Sequence, residues 1–316
     1  MQRVAREHTT LFLDPLARAV AEVDSGERFI VETADSLCGV IKHEAPRGHH
    51  IDELVERLGG ACPVTGPVFV RGAERGMALE VTVHRVTAVP SAGEAWTGIF
   101  GGFGALSHEA FGLQEPLVPE TRLITYDDGV ALFDRPGRPP VRIPMQPFLG
   151  TLAVAPRRER RMSFSQSIEY LGDVDLPQLT TGATVVLPVN VSGALLVAGD
   201  AHAAQGDGEI TGAAIEIEAE AELSCRPLHR EAAGFVALPQ LNTAVRIGSI
   251  GAFQGNDITA CARAAYVDLV HRLVRYFDFS TNDAYQLLGQ VGRLRVGNMI
   301  DPYYSVLASV DRRYVE

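Results

Sequence analysis

Residues 215–223 read Ile-Glu-Ile-Glu-Ala-Glu-Ala-Glu-Leu, a strict alternation of apolar and acidic side chains. A period of two places Ile215, Ile217, Ala219, Ala221 and Leu223 on one face of an extended chain and Glu216, Glu218, Glu220 and Glu222 on the other. A helix would scatter the same residues around its circumference, so this segment is expected to be a strand with one face in a core. Glu218, Glu220 and Glu222 read as the solvated face. Glu216 lies nearest the polar turn that precedes it, and its place is left open between that face and a site.

The same logic extends along most of the chain. From residue 28 to about 225, short apolar or alternating runs such as RFIVETAD, ALEVTVHRVTAV, ATVVLPVNV and ALLVAGD are punctuated by glycine and proline, which is a strand-and-turn pattern. Beyond residue 257 the period changes. DITACARAAYVDLVHRLVRYFD has helical spacing with Asp257 as N-cap, and STNDAYQLLGQVGRL predicts a second helix capped by Ser280 or Thr281. The segment MIDPYYSVLASV reads as the last strand. Five prolines in DRPGRPPVRIPMQP, residues 134–147, favour an extended linker or crossover. The expectation is a β-rich α+β protein with C-terminal helices, divided into an N-terminal β-rich lobe (1–145) and a C-terminal β-rich lobe (146–316), or intertwined as one domain.

Charge and composition exclude some partners. With 28 basic and 39 acidic residues the formal charge is −11, and the basic residues are scattered apart from Arg157, Arg158, Arg160 and Arg161. A nucleic-acid interface needs a basic face, so none is expected. The chain contains no run resembling a membrane span or a signal peptide, which points to the cytoplasm and away from a membrane partner. Cys38, Cys62, Cys225 and Cys261 lack close ligand spacing and read as reduced structural thiols. The histidines of KHEAPRGHH, residues 42–50, read as part of an exposed loop.

The stretch GDAHAAQGDGE, residues 199–209, collects most of the chemistry. Asp200 and His202 are two apart at the end of a strand, so their side chains leave the same side, and a carboxylate with an imidazole supplies two ligands for a divalent metal. Asp173 and Asp175, in YLGDVDLPQL, have the same spacing ahead of the paired strands and offer the missing ligands. In that reading a metal held by Asp173, Asp175, Asp200 and His202 activates water, and Glu209 moves protons. Gly206 and Gly208 present backbone amides to a developing oxyanion. The residues by themselves favour instead an arrangement in which Asp173 and Asp175 cap turns and His202 is a hydrogen-bonded loop histidine. They also fit a calcium bound for structure alone.

With these residues in view, the chain resembles the acetamidase/formamidase family. GDAHAAQGDGEITGAAIE is similar to the family signature, LTTGATVVLPVNVSGALLVAGD to the strand pair before it, and VRIPMQPFLGTLAVAP to its proline-rich crossover. The resemblance implies β-sandwich lobes with C-terminal helices, assembly as a homo-oligomer (a dimer or higher), and hydrolysis of a small formamide- or acetamide-like carboxamide to carboxylate and ammonia. It further implies a divalent metal, zinc ahead of calcium. Asp200, His202, Asp207 and Glu209 stand at signature positions, and Asp175 matches the aspartate of a Gly-Gly-Asn-x-Asp turn. The expected roles are Glu209 and His202 in catalysis, Gly206, Asp207 and Gly208 in substrate binding, and Asp173, Asp175, Asp200 and His202 at the metal. Leu171, Asp173 and Met77 depart from the family pattern. Those departures leave room for a hydrolase of a cyclic or aromatic amide, or for a non-catalytic small-molecule-binding protein on the same scaffold.

Overall fold

The computed structural model describes residues 1–45, 47–89, 94–107, 113, 115–229, 238–255, 257–300 and 302–316. Strands make up 44% of it and helices 17%, so the β-rich class expected from the alternating runs holds.

The alternating segment lies deep within the sheet. Ala219–Leu228 runs between two antiparallel neighbours, Arg28–Thr33 and Ala78–Ala88. Ala219, Ala221 and Leu223 are fully buried against the main core. On the opposite face Glu218 meets Lys42 at 3.0 Å, Glu220 meets Arg3 at 2.6 Å and Glu222 meets Arg28 at 3.0 Å. The solvated face is therefore a ladder of ion pairs, which fixes register and excludes misaligned neighbours more than it adds stability.

Strands far apart in sequence carry the polar stretch into the interior. Leu196–His202 lies between Phe148–Ala153 and Val64–Val70, antiparallel to both, and all seven of its residues are buried. On its far side Phe148–Ala153 pairs with Leu171–Asp173, with Thr151 opposite Asp173. The short strand Glu216–Ile217 joins the end of the same strand, His202 opposite Glu216, and also pairs with Glu94–Ile99. Residues on both sides of position 145 thus share one hydrogen-bonded sheet.

The helices form where the period changed. Ile258–Tyr276 begins at Asp257, whose side chain accepts from the Ala260 amide, and Thr281–Val291 begins at Ser280, which accepts from Asp283. Cys261, Ala265, Leu269 and Leu273, at i,i+4 spacing, are buried against Arg246–Gln254 and Tyr303–Asp311 and build a second core. None of the described helices is long and apolar enough to cross a membrane.

Three local expectations are corrected. The C-terminal segment is a pair of antiparallel strands, Arg293–Ile300 and Tyr303–Asp311, with Asp301 between them outside the described residues. The proline-rich segment forms most of a hairpin, Val130–Arg135 with Arg138–Pro144, and the second strand is an exposed edge where missing amides do no harm. Histidines 49 and 50 do not sit in a free loop: His49 is buried, and His50 caps the helix Ile51–Leu58 by accepting from Asp52.

Candidate active site

Asp200 and His202 end a strand that is buried on both sides, so neither side chain reaches water without an opening. Their spacing brings them together as expected, with His202 Nε2 3.5 Å from Asp200 Oδ2. The cross-strand partner Glu216 puts its Oε2 3.4 Å from the same nitrogen, and Glu209 Oε1 lies 4.0 Å away. Asp175, Asp200 and His202 have ligand atoms within 4.8 Å of one another, as do His202, Glu209 and Glu216. Asp173, Asp200 and Cys62 form a third such group.

Each carboxylate is held by its own element. Asp173 Oδ1 accepts from Thr151 Oγ1 at 2.6 Å, across the strand pair. Asp175 Oδ2 accepts from Asn298 Nδ2 at 2.9 Å, and Asn298 is held in turn by Ser305 and the Ile300 amide. Glu216 is committed to Ser36 Oγ at 2.8 Å and the Ala214 amide at 2.9 Å. Glu209 differs: among the described residues no donor hydrogen-bonds its carboxylate, which faces a cavity shared with Asp173, Asp175, Asp200 and Glu216. Gly150 makes room for the cluster, since a Cβ there would lie 2.5 Å from Asp200 Oδ2 and 2.6 Å from Asp175 Oδ1.

The backbone is bent to aim these groups. Asp175, Asp200 and Glu209 all adopt left-handed backbone conformations, with φ of 47°, 53° and 46°. Such conformations are disfavoured for residues with a Cβ, most of all for glutamate, and their concentration at one pocket marks a functional site.

The imidazole is oriented from behind. Gln205 donates Nε2 to the carbonyls of Asp175 (2.7 Å) and Gly297 (3.1 Å), which leaves its Oε1 facing His202 Nδ1 at 2.9 Å. Two carbonyl acceptors fix which end of the amide is NH₂. Nδ1 therefore carries a hydrogen, and Nε2 is the nitrogen presented to the carboxylates. Phe148 packs edge-on against the ring at 5.0 Å and blocks rotation.

Electrostatically the pocket is dominated by buried acid. Burial and then the charge of Asp200 push Asp173 well above the usual carboxylate range; burial and then Asp173 do the same to Asp175. Glu209 is raised by burial and by Asp175, and Glu216 by burial. Burial would lower His202, but Glu216 and Asp200 outweigh it and hold the imidazole well above its ordinary value. Asp200 is lowered, burial being overcome by His202. Four buried carboxyl groups thus surround one imidazole, with Asp173 beside Asp200, and Oδ1 of both Asp175 and Asp200 is buried with no hydrogen-bond partner among the described residues. Orphaned oxygens beside an aimed imidazole nitrogen are the donor set a divalent cation takes.

The glycine-rich turn is less involved than expected. Asp207 points outward to Arg295, at 3.0 Å, the Gly208 amide is spent on the Val296 carbonyl, and Gly206 is exposed; none of the three lines the cavity. Cys62, expected to be a structural thiol, instead lies beside Asp173 and Asp200, its pKa raised well above normal by burial. Gln205 stood within the polar stretch, three residues after His202, and its polarity was the available signal. Nothing local marked Asn298, which arrives on the strand Arg293–Ile300, or Ser36, which lies in the turn after Arg28–Thr33.

The sequence model of the acetamidase/formamidase family matches residues 12–171 and 165–307. An acetamidase from Bacillus halodurans superimposes with a TM-score of 0.86 at 27% identity, over 99% of this chain and 98% of that one. An acetamidase from Yersinia enterocolitica gives a TM-score of 0.88 at 28% identity, over 100% and 93%. A Schizosaccharomyces pombe protein that bears the name formamidase is 24% identical over 257 residues, 65% of this chain; the match spans 60% of that relative's length.

Proposed function

The chain belongs to the acetamidase/formamidase family, and from that premise we propose that it hydrolyses a carboxamide, R–CO–NH₂ + H₂O → R–COO⁻ + NH₄⁺, in the cavity floored by its buried carboxylates. The observation that carries this reading is Oδ1 of Asp175 and Asp200, without a hydrogen-bond partner among the described residues, beside His202 Nε2, with the Glu209 carboxylate 4.0 Å from that nitrogen.

Asp175, Asp200 and His202 would hold a divalent cation, with Asp173 next to Asp200. The mixed carboxylate and imidazole set favours zinc over calcium. Bound there, such an ion supplies Lewis-acid polarisation and lowers the pKa of a water molecule. Asp173, held by Thr151, and Asp175, held by Asn298, keep fixed orientations toward the cavity. Gln205 and Phe148 prevent the imidazole from turning. Glu209 Oε1, to which no donor among the described residues hydrogen-bonds, is the atom that takes a proton from the attacking water and returns it to the departing nitrogen, so that ammonia rather than an amide anion leaves. Glu216, saturated by Ser36 and Ala214, positions His202 and does not exchange protons with substrate.

Assembly as a homo-oligomer is part of the proposal. Val267, Val274 and Tyr285 leave apolar surface on the C-terminal helices, at 55%, 38% and 72% exposure, which a second copy would cover.

The test is ammonia release from a panel of primary amides by the parent, by His202→Ala and by chelated protein resupplied with zinc. Turnover by the parent that is lost in the folded variant and restored by zinc supports the reading. Ammonia release that persists in His202→Ala sinks it.

A further inference from the structure

The floor of the cavity serves any amide; its walls do not. Above the carboxylates stand Trp96, Phe100, Phe103, Phe164 and Tyr303. They are held in edge-to-face pairs, Trp96 with Phe100 at 6.1 Å and Phe164 with Tyr303 at 6.0 Å, so the rings are fixed before any ligand arrives. The cavity volume is about 330 Å³, within the range of about 300–1,000 Å³ for pockets that enclose ligands of drug size. An amide as small as acetamide leaves most of that space unfilled and the ring surfaces that line it without a ligand contact.

A second observation points to the same ligand. Trp96 is 1% exposed and its indole Nε1–H has no acceptor among the described residues. Its cross-strand partner is Glu216, so both side chains leave the same face of the sheet and the indole borders the acidic floor. An unspent donor in an otherwise apolar wall is stabilised only when a ligand brings the acceptor.

We infer that the amide handled here carries an aromatic acyl group, seated between these rings, with an oxygen of the substrate accepting from the Trp96 indole. The inference rests on the amidase reading for its chemistry, which is unchanged: the C–N bond breaks and the water oxygen joins the acyl carbon. It rests on the cavity walls for its substrate.

Trp96 is the sole tryptophan of the chain, so intrinsic fluorescence reports on this wall directly. The zinc-supplemented full chain is titrated with phenylacetamide and with acetamide while ammonia is assayed in parallel. The expected result is a saturable emission change with phenylacetamide at concentrations at least tenfold below any produced by acetamide, and a kcat/KM at least a hundredfold higher. Trp96→Phe, which keeps a ring and loses the donor, is expected to lower kcat/KM for phenylacetamide about tenfold, and Phe164→Ala to reduce the preference for phenylacetamide over acetamide. Acetamide turned over as well as phenylacetamide, or ammonia from acetamide with no fluorescence response to phenylacetamide, overturns the inference and leaves the amidase reading standing. A saturable response to phenylacetamide with no ammonia from any amide supports the aromatic pocket and rejects the amidase reading. An unchanged kcat/KM in Trp96→Phe rejects the indole contact.

Discussion

Replacing Gln205 by leucine isolates the positioning of His202 from its chemistry. The side chain makes three hydrogen bonds, accepting from His202 Nδ1 at 2.9 Å and donating to the carbonyls of Asp175 at 2.7 Å and Gly297 at 3.1 Å. Leucine has nearly the same bulk and makes none of them. The imidazole then loses the acceptor that fixes its tautomer, and loss of such an outer contact weakens metal binding by about 10- to 100-fold, or about 1.4–2.7 kcal/mol. Two carbonyls also lose their donors, and one belongs to Asp175, itself a proposed ligand, so folding stability falls by about 1 kcal/mol for each bond lost. Zinc affinity is measured by competition with a chromogenic chelator, and stability by denaturant unfolding of the same preparations. The expected variant binds zinc at least tenfold more weakly and is less stable by about 2–3 kcal/mol. If zinc affinity stays within about twofold of the parent, Gln205 does not set the imidazole's orientation and the assignment of Nε2 as the ligating atom is wrong.

Other perturbations separate site from scaffold. Glu209→Gln keeps the shape of the proton carrier and removes its charge; kcat in the ammonia assay is expected to fall by at least about 100-fold with circular dichroism unchanged. Gly150→Ala drives a methyl group to 2.5 Å from Asp200 Oδ2, so it is expected to displace the Asp175–Asp200 pair, lower zinc affinity and destabilise the fold by about 1–3 kcal/mol, as read by chelator competition and denaturant unfolding. Leu223→Ala, in the main core and fully buried, is expected to lose about 2–5 kcal/mol in unfolding while specific activity per folded molecule holds, because the cavity it leaves lies away from the carboxylates.

Periodicity and capping are local properties, and the sequence shows them where they are local. The alternation at 215–223 identified extended chain and its buried face, although the structure divides it at Glu218 into two strands, Glu216–Ile217 and Ala219–Leu228, with different partners; Asp257 and Ser280 capped the helices they were expected to cap, and the two-residue spacing of Asp200 and His202 brought their side chains together. The same rule failed as soon as the chain left the strand. Asp207 and Glu209 share a parity, yet Glu209 turns into the cavity through a left-handed backbone and Asp207 pairs with Arg295 outside. Glu216 and Glu218 share a parity as well. Glu216 is closed over by the pairing with His202 and Trp96, while Glu218 remains on the ladder of surface ion pairs.

The resemblance read from the signature named the family, and the residues around it named most of the acidic floor of the pocket. Trp96 and Asn298 reach it on strands, and Ser36 and Cys62 in the turns that flank strands, from positions up to more than a hundred residues from the groups they meet. No window along the chain contains that information, because strand register is settled by which apolar faces close the core together. The sequence by itself determined that this chain forms a β-rich fold with an acidic, histidine-bearing strand end. Only the tertiary structure decided that five carboxyl groups converge beneath a wall of aromatic rings, since burial and long-range pairing, not spacing, turn scattered side chains into one cavity.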